Sequence, residues 1–400
     1  MKRRTRNGGS GKRRKAPKTG NGVSQLSLMD LPTALLHEIF FKLPVSSIIN
    51  AKFVCTELYK TLSDPEFAVN YTKSTRFTSI LSIEHRLTHD LESPIFILTE
   101  ISEDYEYFET ALTPRIPDFV DLSSSLSLRR TCDGLLCLHL MKPRAEVAYI
   151  CNPLTGDSLA LPAVHKPKRA HPLSLVYGLG FCQSANKYKV LRVICDSDEP
   201  GNGYGEILTI GVDSGWRSLA NPAVPMPEFL LDLNSLNGVL HWLFFAGDRS
   251  SCIYSFDLGE ERLGQTPGPP GVVLNCERMR LVLLSNQLCL VDPSKRNTLV
   301  IWKMKEHASG NSWTKDIILS KSFPCRVRFR GHWPLAISRN GEIILSDHWN
   351  TFVVSYNPEK RTCTKIKVFE MERFAYTPSL LSLQELISGR HWRNMNVLSN

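Results

Sequence analysis

Five turn-forming residue pairs, each running into a strongly apolar strand, recur at nearly equal spacing through the last two thirds of the chain. They are Asp133-Gly134 before Leu135-Leu136-Cys137-Leu138, Asn186-Lys187 before Tyr188-Lys189-Val190-Leu191, and Asn237-Gly238 before Val239-Leu240-His241-Trp242. Asn286-Gln287 before Leu288-Cys289-Leu290-Val291 and Asn340-Gly341 before Glu342-Ile343-Ile344-Leu345 complete the set. With the second residue of each pair as marker, the intervals are 53, 51, 49 and 54 residues. Asn, Asp and Gly tolerate the left-handed backbone that a tight turn demands, so each pair predicts a β-hairpin. A following strand ends in Asn or Asp at Tyr149-Ile150-Cys151-Asn152, Phe256-Asp257 and Tyr356-Asn357, with Ile210-Gly211-Val212-Asp213 a looser copy. The fourth unit places Val300-Ile301-Trp302-Lys303-Met304 there, and Trp216 and Trp313 then introduce a further strand.

A repeat of about 50 residues holding about four strands leaves both faces of each sheet apolar. Stacking such sheets around an axis buries those faces, and closing the ring hides the edges that would otherwise pair with other chains. The pattern predicts an all-β, kelch-like β-propeller over residues 75–400. Its 326 residues give room for six or seven blades. Residues 75–130 carry weak markers and are expected to share a blade with the C-terminal segment around Thr377 to Ile387.

Residues 24–72 follow a different rule. Asp30 and Pro32 form a helix start, and Leu35, Leu36, Ile39, Phe40 and Leu43 recur at helical spacing until Pro44. Ser46 or Ser47 is expected to start a second helix with Ile48, Ile49, Phe53 and Val54. A third carries Leu58 and Leu62, and Asp64-Pro65 gives another cap-and-proline start. Helices this short cannot bury so many apolar positions among themselves. The surplus is covered either by the following domain or by another protein.

The run Leu31-Pro32-x-x-Leu35-Leu36-x-x-Ile39-Phe40-x-x-Leu43-Pro44-Val45, then Val54-Cys55 and Asp64-Pro65-x-Phe67, resembles an F-box. The resemblance implies binding to a Skp-type adaptor and through it to a cullin scaffold. The residues it assigns to the adaptor are Leu31, Pro32, Leu35, Leu36, Ile39, Leu43, Pro44, Val45, Ile49, Val54, Cys55 and Leu58. F-boxes of this type usually hold Trp where this chain has Leu58, which implies a smaller buried area and a weaker grip on the adaptor. The larger region resembles the F-box-associated domain of plant F-box proteins. Cys132-Asp133-Gly134-Leu135-Leu136-Cys137, Asn152-Pro153-x-Thr155-Gly156, Tyr177-Gly178-Leu179-Gly180-Phe181 and Leu236-Asn237-Gly238-x-Leu240-His241-Trp242 carry that resemblance. It implies an α+β multidomain chain in which a β domain captures a target protein. The implied function is that of the substrate-recognition subunit of an SCF-type ubiquitin ligase. The alternatives are an adaptor-bound scaffold without ligase function and a nucleic-acid-associated binding protein.

The net charge of +9 would favour nucleic acid if it were spread over the folded body. It is not. Nine of the 48 basic residues lie within residues 1–18, which hold no acid, and the other 39 balance the 39 acids. Residues 1–23 are expected to form a disordered basic tail. Its clusters Lys2-Arg3-Arg4-x-Arg6 and Lys12-Arg13-Arg14-Lys15 fit a nuclear localisation signal, so nucleus and/or cytoplasm is the expected location. The sequence holds neither a signal peptide nor an apolar run long enough to span a membrane. Eleven scattered cysteines without a CxxC pair suit reduced thiols.

Enzyme chemistry finds little footing. Gly201-Asn202-Gly203-Tyr204-Gly205 lacks the later glycine and the helix of a dinucleotide turn, and is expected to be a flexible hairpin loop. Asp196-Ser197-Asp198-Glu199-Pro200 opens like a calcium loop but has Ile207 where the twelfth-position Glu belongs. Gly9-Ser10-Gly11-Lys12 lacks the first glycine of a phosphate loop, and no HExxH or GxSxG motif occurs. His241 alternates within an apolar strand, as a core histidine does. No cofactor or metal is expected, and catalysis is expected to lie in partner enzymes.

Overall fold

The structure, a computed structural model, describes residues 28–388 apart from 75–76, 85–94, 117–124, 142–144, 163, 166–173, 196–201, 226–232, 246–250, 276–277, 294–297, 306–312, 320–331, 348–351 and 368–371. The basic tail and the Asp196–Pro200 stretch therefore lie outside the described residues.

A short 3-10 turn at Leu28–Asp30 leads into α1 (Thr33–Phe40), α2 (Val45–Ala51), α3 (Thr56–Leu62) and α4 (Pro65–Ser74). The prolines set the starts: Pro32 and Pro44 occupy the N-cap positions of α1 and α2. Neither proline can cap with its side chain, and Ser46 and Ser47, the expected starts of the second helix, lie inside α2. Cys55 caps α3 by accepting the Leu58 N–H, and Asp64 Oδ1 accepts the Glu66 N–H at the head of α4, as its Asp-Pro start predicts.

Six antiparallel sheets follow. The first blade holds β1 (Thr78–Glu84), β2 (Ile95–Ile101) and β3 (Tyr107–Leu112). The second holds β4 (Ser125–Cys132), β5 (Leu135–Met141), β6 (Ala145–Asn152) and β7 (Asp157–Ala160), with β8 (Val164–His165) also on β6. The third is β9 (Ser174–Cys182), β10 (Lys187–Cys195), β11 (Asn202–Thr209) and β12 (Arg217–Pro225). The fourth is β13 (Asn234–Leu236), β14 (Val239–Phe245), β15 (Ser251–Asp257) and β16 (Arg262–Thr266). The fifth is β17 (Arg280–Leu284), β18 (Gln287–Asp292), β19 (Leu299–Met304) and β20 (Trp313–Leu319). The sixth is β21 (His332–Ile337), β22 (Ile343–Asp347), β23 (Phe352–Asn357) and β24 (Thr362–Lys367).

Successive first strands lie side by side, β4 on β9, β13 on β9 and β17, and β21 on β17, so they line the axis of a propeller. Within the expected range of six or seven blades, the number is six. The repeat markers are the turns between the first and second strands of blades two to six. Asp133, Gly134, Asn237, Gly238, Ser285 and Asn286 all take positive φ there, which is why Asn, Asp and Gly recur. In the third blade the left-handed residue is Asn186, one before the marker, and in the fifth both Ser285 and Asn286 precede it.

Ring closure differs from expectation. β25 (Glu372–Ala375) pairs with β1, Ile80 facing Ala375 and Ile83 facing Glu372, and so supplies the inner strand of the first blade. The segment Thr377 to Ile387 is not that strand. It crosses one face of the ring and ends in α5 (Leu383–Ser388). Pro378 lies within it and cannot donate to a ladder, which suits a crossing segment better than a strand. The described part of the glycine-rich stretch, Asn202 to Gly205, is also not a loop, because it belongs to β11. A Cβ on Gly205 would meet the Leu219 and Val224 side chains at 2.5 and 2.7 Å, so glycine there lets β12 close over β11. The histidine expectation stands: His241 is buried within β14.

Candidate functional site

The two faces of the first blade have different neighbours. Ile80 and Ile101 pack with Ile344, Val353 and Ile366 of the sixth blade. On the other face, Leu81, Ile83, Phe96 and Leu98 join one apolar cluster with Leu36, Phe40, Val45, Ile48, Leu58 and Leu62 of the helices. Much of the helical surplus is therefore absorbed by the propeller. Polar contacts fix the junction. The Val45 N–H at the start of α2 donates to Glu100 Oε2 at 2.8 Å, so a propeller carboxylate supplies the cap that no nearby side chain gives. Arg339 Nη2 donates to the Lys73 carbonyl at the end of α4, while Tyr71 OH, donating to the Leu43 carbonyl, ties the helices to one another.

Glu100 is fully buried, and burial pushes its carboxyl up to about 7 while the Val45 N–H pulls it down. Its usual value is 4.5, so the folded chain holds the proton more tightly than the unfolded chain. Stability contributed by this group is therefore greatest below pH ~4.5, falls as pH rises toward 7, and is level above. The linkage is about 3 kcal/mol. Urea melts at pH 5 and pH 8 are expected to show this loss, and Glu100→Gln to flatten it. An unchanged slope in the variant contradicts the assignment.

What the propeller leaves uncovered is informative. Leu35 is 53% exposed, Ile39 40%, Phe53 84% and Val54 72%. Leu35 and Ile39 stand four residues apart on α1 and share one stripe. Tyr59 on α3 and Leu28 are exposed as well. Four large apolar side chains of the helices thus stay exposed after the module has packed on the propeller, and exposed apolar surface is what protein partners cover.

The twelve residues assigned to the adaptor separate on this criterion. Pro32, Leu35, Ile39 and Val54 are exposed, and Leu31, Leu43, Ile49 and Cys55 are half-buried. Leu36, Pro44, Val45 and Leu58 are buried, and Leu36, Val45 and Leu58 share the apolar cluster that joins the helices to the propeller. Leu58, where a tryptophan is usual, is 5% exposed and packs within that cluster. Phe53 and Tyr59, on either side of the Val54-Cys55 pair, lie outside that assignment and are exposed as well. Among the described residues no group of three or more His, Cys, Asp or Glu gathers as metal ligands would. No described helix is long and apolar enough to cross a membrane.

An F-box domain model matches residues 28–70, and a model described as the F-box associated beta propeller domain matches residues 95–387. The chain belongs to the F-box proteins that carry an F-box-associated β-propeller. It is similar to F-box protein At3g07870 of Arabidopsis thaliana, 27% identical over 376 residues covering 83% of this chain and 86% of that one. The F-box/kelch-repeat protein At3g23880 of the same plant is 23% identical over 302 residues, covering 72% and 78%. An F-box implies binding of a Skp-type adaptor, and a propeller offers a surface for targets.

Proposed function

We propose that this protein is the substrate-recognition subunit of an SCF-type cullin–RING ubiquitin ligase. The F-box docks a Skp-type adaptor, the adaptor joins it to a cullin scaffold, and the propeller holds a target protein for ubiquitination. The observation that carries the reading is the exposed set Leu35, Ile39, Phe53 and Val54 on a module whose opposite side is already packed against the ring. No chemistry falls to the chain itself. It raises the local concentration of target beside the transfer enzymes.

The basic clusters at Lys2, Arg3, Arg4, Arg6, Lys12, Arg13, Arg14 and Lys15 support a nuclear or nucleocytoplasmic location. The charge-balanced remainder gives no support to a nucleic-acid partner. The test is proximity labelling with the intact chain and with a chain carrying aspartate at Leu35, Ile39 and Val54. Cullin is expected beside the intact chain only, and targets are expected to accumulate with the variant. Adaptor without cullin beside the intact chain would favour a non-ligase scaffold.

A further inference from the structure

Beyond β25 the chain does not stop at the rim. Residues 376–388 cross the face of the ring that carries the F-box. Tyr376 OH donates to the Gly134 carbonyl at 3.0 Å, and Asn152 Nδ2 donates to the Ser379 and Leu381 carbonyls at 3.0 and 2.7 Å. The Leu383 N–H reaches Asp157 Oδ2 at 3.3 Å, and Lys187 Nζ reaches the Ile387 carbonyl at 3.5 Å. These contacts tie the segment to the second and third blades.

The same segment grips the helices. Thr72 Oγ1 on α4 donates to the Pro378 carbonyl at 3.2 Å. Leu380, Leu381 and Leu383 share the apolar cluster that holds Leu36, Leu58 and Leu62. Lys52 at the end of α2 is partly buried, and the Glu385 carboxylate on α5 offsets the burial that lowers its pKa. By contrast, only residues 75–77 join α4 to β1 covalently.

We propose that residues 376–388 act as a clamp that adds a second anchorage, on the second and third blades, to the seam between the F-box and the first blade, and so fixes the docking surface relative to the ring. The inference rests on contacts within this chain. Its consequence, a fixed distance between adaptor and target, rests on the receptor reading.

The test uses the full chain with fluorescent amino acids incorporated at Tyr59 on α3 and at Val273 on the ring, both exposed. The distance distribution between them is read in the absence of partners. A single narrow distribution is expected for the intact clamp. Deleting residues 377–400 is expected to at least double its width. Asn152→Ala combined with Thr72→Val is expected to broaden it in the same direction, and decides the question if the deletion does not fold. A folded variant with an unchanged width overturns the clamp. Failure of the intact chain to bind adaptor would overturn the receptor reading and leave the distance result standing.

Discussion

Aspartate placed together at Leu35, Ile39 and Val54 is expected to weaken binding to a Skp-type adaptor by about a thousandfold, with the fold intact. Each side chain is exposed, from 40% at Ile39 to 72% at Val54, so the free chain loses less when they change than it would at a core position. In a complex each would bury apolar area worth about 1–2 kcal/mol, and three carboxylates would also have to shed water. Losing roughly 4 kcal/mol corresponds to about three decades in affinity. Titration calorimetry measures the affinity, and circular dichroism with urea melts checks the fold. Leu36→Ala and Leu58→Ala provide the contrast. Both residues are buried, so each is expected to cost about 2–4 kcal/mol of stability, with adaptor binding falling only as far as the helices unfold. A triple variant that binds normally would remove the docking surface assigned here.

The second large effect is expected at Gly134. It holds φ +83°, and a Cβ there would lie 2.4 Å from Ser379 Cβ and 2.9 Å from the Ser379 backbone nitrogen. The left-handed backbone costs a branched residue about 1–2 kcal/mol, and overpacking adds about 1–3. Gly134→Val is thus expected to destabilise the chain by roughly 2–5 kcal/mol and to lift the C-terminal segment from its seat. Gly341 holds φ +80° with nothing within 4 Å of its Cβ position, so Gly341→Val isolates the backbone part. Chemical denaturation of both variants separates strain from collision. Equal losses would mean that the segment does not sit against the second blade.

How far these features can be read in the amino-acid order depends on whether their causes are local. The propeller was visible because a hairpin turn needs positive φ at fixed places, and Asp133-Gly134, Asn237-Gly238 and Asn340-Gly341 signal it directly. The F-box helices were visible for the same reason, through Pro32, Pro44 and Pro65. Burial within the F-box was not. Leu35 and Leu36 are neighbours of identical chemistry, and only the tertiary packing of the other helices and the propeller decides that one is exposed and the other in the core. Glu100 caps α2 across 55 residues, and Asn152 holds carbonyls more than 220 residues away. No local pattern encodes such pairs. The closing strand was missed for a related reason: Glu372–Ala375 is short and lacks a turn marker, whereas the longer apolar run after it is a crossing segment.

The most direct test of the account is amide hydrogen exchange on the full chain before and after a purified Skp-type adaptor is added. Slowed exchange is expected in α1, at Phe53-Val54 and in α3, with the propeller strands unchanged. Protection confined to the propeller, or no protection anywhere at saturating adaptor, would contradict the assignment of the F-box's exposed side as the docking surface.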